Sequence, residues 1–173
     1  MENKHILTVK RFLELARPTS KHVEETEVMT FIRECEDMHI IPAIGLSKFK
    51  DLLKNPLNSD DEILLRGGEY ENDKKNLQQC AGLEIALSYF VYAKMTMDDG
   101  GILTRTGVMQ HNDSYAYRAD DRNRVRRYNE VMNVAESYLS SSLEFLNSRN
   151  KDCCGQRKAK TRGTRVRIYA IGD

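Results

Sequence analysis

Residues 77–97, LQQCAGLEIALSYFVYAKMTM, decide how this chain folds. The stretch holds no proline and is long enough for a helix of about 20 residues. Its polar positions are few: Gln78, Gln79, Glu84, Ser88 and Lys94. Apolar or aromatic groups fill nearly every other place from Cys80 to Met97. A helix that is apolar almost all round must be covered on most sides. The pattern therefore predicts either the central helix of a bundle or a helix with part of its surface left for another subunit, and core packing is the commoner cause.

Toward the C-terminus, Asp98-Asp99-Gly100-Gly101 reads as a turn. Residues 102–109 (ILTRTGVM) read as a strand or extended loop with Gly107 as a candidate bulge, and 111–117 as a loop. A last long helix is expected from about Ala119 to Asn147, with Asp120 and Asp121 at its start. Val125, Tyr128, Met132, Ala135 and Leu139 recur by threes and fours, and Leu146 resumes the stripe after an imperfect turn near Ser142. Val131, Val134, Tyr138 and Phe145 widen it, which suits a globular bundle better than a coiled-coil seam.

Toward the N-terminus, residues 69–76 are polar and turn-like, forming a small hairpin or a loop. A short helix near Asp60 to Arg66 stops at Gly67-Gly68, where a double glycine suits a left-handed C-cap. Ser47 can cap a helix with Phe49, Leu52 and Leu53 on its apolar face, ended by Asn55-Pro56. Residues 24–38 carry Val28, Phe31, Ile32, Cys35 and Met38 at helical spacing, with Glu24, Glu25 and Glu27 in the first turns; Pro42 and Gly45 then break the chain. Residues 6–16 form a short helix or an extended arm, stopped by Arg17-Pro18. The whole reads as mainly α: a bundle of about four to five helices, a small extended or β element at 102–109, and a C-terminal strand.

That strand is 164–171 (TRVRIYAI). Val166, Ile168 and Ala170 fall on one side, and Arg165, Arg167 and Tyr169 on the other. A lone strand has to pair, either with 102–109 or with a neighbour's sheet edge. The basic, glycine-containing stretch 151–163 reads as a linker, so the chain divides into a helical domain, 1–150, and an arm, 151–173. The net charge of +1 conceals this division. The arm holds seven cations against Asp152 and Asp173, a charge of +5, leaving −4 for the body. Such arms meet nucleic acid or acidic protein surfaces, or simply solubilise an exposed end.

Charged residues at 31% and apolar ones at 40% describe a soluble, globular chain of 173 residues. No stretch approaches the roughly 18 apolar residues of a membrane span. The N-terminus lacks a signal-peptide block, so a reducing compartment and free thiols are expected. Cys35 and Cys80 fall on apolar faces as small core residues, and the adjacent pair Cys153-Cys154 is not a zinc half-site.

Signatures of chemistry are thin. The sequence has no phosphate loop, dinucleotide fingerprint, zinc-protease or nucleophile-elbow motif. His5, His22, His39 and His111 are scattered, and His111 beside Asp113 and Ser114 is a weak triad candidate. The carboxylate pairs Asp60-Asp61, Asp98-Asp99 and Asp120-Asp121 sit at turns and helix starts, where capping explains them. No catalytic residue, metal or cofactor is expected, and the chain is not expected to be an enzyme. One cluster is more specific. Arg118, Arg122, Arg124, Arg126 and Arg127 crowd the start of the last helix, where they oppose the dipole. They require Asp120 and Asp121, an acidic neighbour, or phosphate as compensation.

The order of several segments resembles the small head–tail connector (adaptor, or ring) proteins of tailed bacteriophages, particularly Bacteroides-type and crAss-like phages. These are LARPTS at 15–20, FIRECEDMHIIPAIG at 31–45, LLRGGEYE at 64–71, AGLEIALSYFVYAKM at 81–95, LTRTGVMQHND at 103–113 and YNEVMNVAESYL at 128–139. The resemblance spans roughly residues 6–147 and does not reach the arm. It implies a structural virion protein at the head–tail junction, assembled in the bacterial host cytoplasm. The expected form is a homo-oligomeric ring, commonly of twelve copies, beneath the portal protein and around the DNA channel. Further tail or ring proteins would be neighbours, DNA would pass without sequence-specific contact, and no membrane is involved.

On that reading, Arg118, Arg122, Arg126, Arg127, Tyr89, Tyr92, Arg105, Val166, Ile168 and Ala170 are candidate subunit or portal contacts. Arg157, Lys158, Lys160, Arg162, Arg165 and Arg167 would face the channel or an acidic partner. The competing reading is a nucleic-acid-binding regulator that grips phosphate with the same arginines and arm. It predicts salt-steep binding to free DNA.

Overall fold

The computed structural model describes residues 4–17, 24–54, 56–72, 75–98, 102–104, 107–109 and 121–149; at 102–104, 107–109 and Asp121 only the backbone is described. The architecture is mainly helical with small antiparallel β elements, as the apolar periodicity predicts.

The apolar stretch is central, but it divides. Helix α6 occupies Leu83–Met97, and Leu77–Cys80 is a strand instead of the helix's first turn. Ala81-Gly82 makes the break, with Gly82 at φ 92°. The strand pairs antiparallel with Gly68–Glu71, with Gly68 opposite Cys80 and Glu71 opposite Leu77. These are β1 (Gly68–Glu71) and β2 (Leu77–Cys80). Asn72 and Asn76 close the connection: the Asn76 N–H donates to Asn72 Oδ1 at 3.0 Å, and the Asn72 N–H donates to the Asn76 carbonyl at 3.0 Å. Sequence periodicity misses the break because Gln78 and Gln79 are tolerated equally by a helix and by an exposed strand.

From Leu83 onward α6 is covered nearly all round. Leu83, Ala86, Leu87, Phe90, Val91 and Ala93 are essentially inaccessible. Burying each large side chain contributes about 1.5–3 kcal/mol. Ser88 is also buried, its hydroxyl donating to the Glu84 carbonyl at 2.7 Å.

Helix α1 (Val9–Leu15) starts at Thr8, whose Oγ1 accepts from the Arg11 N–H at 3.3 Å. Its one buried residue, Phe12, enters the core. Helix α2 (Glu25–Cys35) buries Val28, Phe31, Ile32 and Cys35 of the expected stripe, whereas Met38 falls in the π-helical turn that follows, whose wider winding carries it off that face, and is 61% exposed. It does not end at Pro42. A π-helical turn, Glu36–Ile40, leads straight into α3 (Ile41–Ile44), with the Ile41 N–H donating to the Glu36 carbonyl. A proline lacks the N–H and crowds the carbonyl four residues back. The wider turn just before it accommodates both problems. Gly45, at φ 85°, is the true stop.

Helix α4 (Leu46–Leu52) starts directly from Gly45, so Ser47 lies inside the first turn and does not cap it; the helix ends at Leu52, before Pro56. Helix α5 (Ser59–Arg66) ends at Gly67, whose φ of 89° has the positive sign that favours glycine while its ψ of 165° is not that of a left-handed helical cap. The chain must leave at once into β1. Gly67 and Gly82 there lie back to back. A Cβ on Gly67 would sit 2.5 Å from the Ala81 carbonyl oxygen, and one on Gly82 would sit 2.5 Å from the Gly67 nitrogen.

Residues 102–104 and 107–109 are two strands and not one: β3 (Ile102–Thr104) pairs antiparallel with β4 (Gly107–Met109). Gly107 faces Thr104, so it opens β4 and is no bulge within a longer strand. Helix α7 (Asp121–Arg149) is the longest element. At 1.5 Å per residue it runs about 43 Å. The loop at 111–117 and the arm from 151, with its expected strand at 164–171, lie outside the described residues.

Candidate functional site

Helices α6 and α7 are antiparallel, since successive residues of one meet receding residues of the other. Tyr92 contacts Arg127, Tyr89 packs edge-on against Tyr138 with centroids 5.2 Å apart, and the Ala81 N–H donates to Ser141 Oγ at 3.3 Å. Along this seam α7 changes character. Val131, Ala135, Ser142, Leu143, Phe145 and Leu146 are buried, whereas none of residues 122–130 is. Ser142, the apparent fault in the stripe, has no exposure and donates its hydroxyl to the Tyr138 carbonyl at 3.0 Å. A small residue that satisfies itself locally fits where a larger one would collide.

The arginines at the start of α7 differ in what they touch, although Arg122, Arg126 and Arg127 are all exposed. Arg127 turns back onto α6: its guanidinium donates to the Tyr92 hydroxyl, and its Cζ stands 5.6 Å from the Tyr92 ring centroid. A cation over an aromatic face is stabilised by the ring's quadrupole. Arg124 is half-buried. Arg126 pairs with Glu130 at 3.0 Å across one exposed turn. Arg122 is exposed and has no ion pair among the described residues. Arg122, Val125, Arg126 and Asn129 fall at i, i+3, i+4 and i+7, so they form one stripe. All four are exposed, Val125 by 45%.

Of the contacts expected from sequence, Arg122 and Arg126 face outward together. Tyr92 faces inward with 6% exposure, engaged by Arg127, and Tyr89 is half-buried against Tyr138. Arg105, Arg118, Val166, Ile168 and Ala170, with the arm cations Arg157, Lys158, Lys160, Arg162, Arg165 and Arg167, lie outside the described residues.

Sequence reading passed over a set of polar ties that range from buried to exposed. Glu36, 2% exposed, accepts from the Ile6 N–H at 2.9 Å and meets His5 Nδ1 at 2.7 Å, fastening the N-terminal segment to the π-helical turn. Burial pushes the Glu36 carboxyl above the ordinary carboxylate range, although His5 and the Ile6 N–H pull against it. The available signal was an acid inside an apolar stripe, four residues after Ile32 and four before Ile40. Arg11 of α1 reaches Glu84 in the first turn of α6 at 2.9 Å. Lys48 of α4 pairs with Asp61 of α5, Lys94 of α6 with Glu34 of α2, and Arg149 of α7 with Asp60 of α5 at 3.4 Å. Asp60 and Asp61, expected as capping acids, thus also join helices.

His39 stacks on Phe90 with centroids 4.1 Å apart, and burial holds its imidazole below the usual range, with Lys94 adding to the effect. Cys35 and Cys80 are buried thiols, as expected; burial pushes Cys35 up to about 12.

Two clefts open on the surface. One of about 480 Å³ lies between the N-terminal segment, α1 and the start of α6, with Arg11, Lys54, Arg66 and Glu84 in its wall. Each cation there already faces a carboxylate: Arg11 meets Glu84 and Glu14, Lys54 meets Asp51, and Arg66 meets Glu62. The other, of about 400 Å³, lies between α5 and the end of α7 and contains the Lys48–Asp61 and Arg149–Asp60 pairs. Their charged groups join neighbouring elements. Among the described residues, no group of three or more His, Cys, Asp or Glu side chains is placed to hold a metal ion, and no helix is long and apolar enough to cross a membrane.

No curated protein and no solved structure matches the chain. Residues 40–159, which take in α4 through α7 and so both the central helix and the arginine stripe, match a family of unknown function, DUF6712, and the chain belongs to that family.

Proposed function

We infer that this chain is a structural, non-enzymatic subunit of the head–tail connector ring of a tailed bacteriophage, joining the portal to the tail and forming part of the DNA channel. The observation that carries the reading is the double use of α7. One face closes the subunit's own core, and the stripe Arg122, Val125, Arg126 and Asn129 faces out. Within the monomer that stripe is unfavourable, because arginines at a helix start oppose the dipole and Val125 is left in water. A neighbouring subunit relieves both. The order of sequence segments over 6–147 supports the same reading, and the arm at 151–173 supplies cations for DNA or for an acidic portal surface.

The exposed arginines also favour a second reading, a regulator that binds nucleic acid phosphate. Mass measurement of the purified protein, alone and with a portal protein, separates the two. A ring of about twelve copies on the portal, with weak binding of the free subunit to DNA, is expected. A chain that ignores the portal and binds free DNA with steep salt dependence would replace the connector reading with the regulator.

A further inference from the structure

We propose that the outward stripe of α7 docks on the first turn of α2 in a second copy of this chain. The inference rests on the connector reading and names the subunit contact which that reading requires. Helix α2 opens with Glu24, Glu25 and Glu27, all exposed, and none of them has an ion pair among the described residues. At the start of α7, Arg122 also has none, and the described partner of Arg126 is Glu130 in an exposed pair one turn away. Exposed pairs of this kind contribute little and exchange readily. Among the described residues no ion pair joins the two surfaces within one subunit, so each copy offers both to its neighbours.

Charge favours a contact between unlike surfaces. A two-fold contact through either surface would bring arginines onto arginines or glutamates onto glutamates. Pairing the acidic turn of one copy with the arginine stripe of the next is favourable, and in the ring of the connector reading it runs head-to-tail. That is the heterologous contact whose repetition closes a ring when the rotation allows. Val125, in the middle of the stripe, adds an apolar spot that the contact would cover.

The test is a charge exchange in the full chain. One variant carries Arg122→Glu and Arg126→Glu, the other Glu25→Lys and Glu27→Lys. Self-association is followed by sedimentation at low salt, alone and on purified portal, with circular dichroism to establish folding. Each variant alone should lose at least about tenfold in association, because like charges then face each other. Mixing the two should restore association, since every junction in the mixture pairs opposite charges. Added salt should weaken the wild type. If a variant misfolds, Arg122→Gln with Arg126→Gln should give a smaller loss of the same sign.

Variants that assemble on the portal as well as the wild type overturn the pairing and leave the connector reading standing. Exchange and rescue in solution, with no engagement of the portal, overturn the connector reading and leave the pairing. A wild type that stays monomeric both alone and on the portal, or a mixture that does not recover, overturns the pairing.

Discussion

The two ends of α7 are made of the same secondary structure and differ in nearly everything else. From Val131 to Leu146 the helix presents Val131, Ala135, Leu143, Phe145 and Leu146 to the core, and even its serine is sealed in. From Arg122 to Glu130 it presents arginines and Val125 to water. The first region is held by burial, which is strong and is not screened by salt. The second is held by the helix itself, by Tyr128, half-buried against the core, and by the exposed Arg127, which reaches back to Tyr92. One continuous helix thus carries a structural half and a half available for partners, and the boundary falls near Val131.

Substitution at matched apolar positions breaks this comparison most directly. Phe145→Ala should destabilise the fold by about 3–5 kcal/mol, because Phe145 is fully buried and packs edge-on against Tyr70. Val125→Ala should change stability by less than about 0.5 kcal/mol. Denaturant melts of the two variants decide it; comparable losses would place both halves of α7 in the core.

Beneath the buried half, Gly82→Ala should cost about 3 kcal/mol, since a side chain there meets the Gly67 backbone and φ is 92°. A thermal shift below one degree would show that the crossing of the two glycines is slack.

The charged ties should give smaller and graded effects. Glu36→Ala leaves the Ile6 N–H without its acceptor and should cost about 1–3 kcal/mol. Glu36→Gln keeps an acceptor and removes a charge that burial disfavours. Because the folded-state pKa of Glu36 is raised, its neutral form favours the fold at low pH, and that advantage fades as pH rises through the folded value. At neutral pH the Gln variant should therefore melt close to the wild type and well above the Ala variant.

The smallest effect is expected at His39. Its folded-state pKa is depressed, so its contribution is complete above the ordinary value of 6.5 and is lost as pH falls below it. His39→Phe should keep the stack on Phe90 and reduce the fall in melting temperature between neutral and mildly acid solution. An unchanged fall would assign that loss to other groups.

Much of this was legible in sequence because helical periodicity is a local property. The stripe of α2, the central position of α6 and the broad apolar face of α7 all follow from spacing alone. Turn chemistry was legible only in part. Pro42 signalled a break, and the π-helical turn absorbed it. Gly67-Gly68 signalled a left-handed cap; Gly67 does cap the helix at positive φ, but with a ψ of 165° that turns the chain at once past Ala81 and Gly82. The arginine cluster was visible as composition, but nothing local to it tells Arg127, which meets Tyr92 35 residues away, from Arg122, which meets solvent.

By itself, then, the sequence determined most of the helical segments and most of their apolar faces, because both depend on neighbours within a turn or two along the chain. Only the tertiary structure decided where the apolar run divides into strand and helix, which acids join helices, and which arginines remain outside. Those outcomes depend on groups far apart in the chain, brought together when the core around α6 closes.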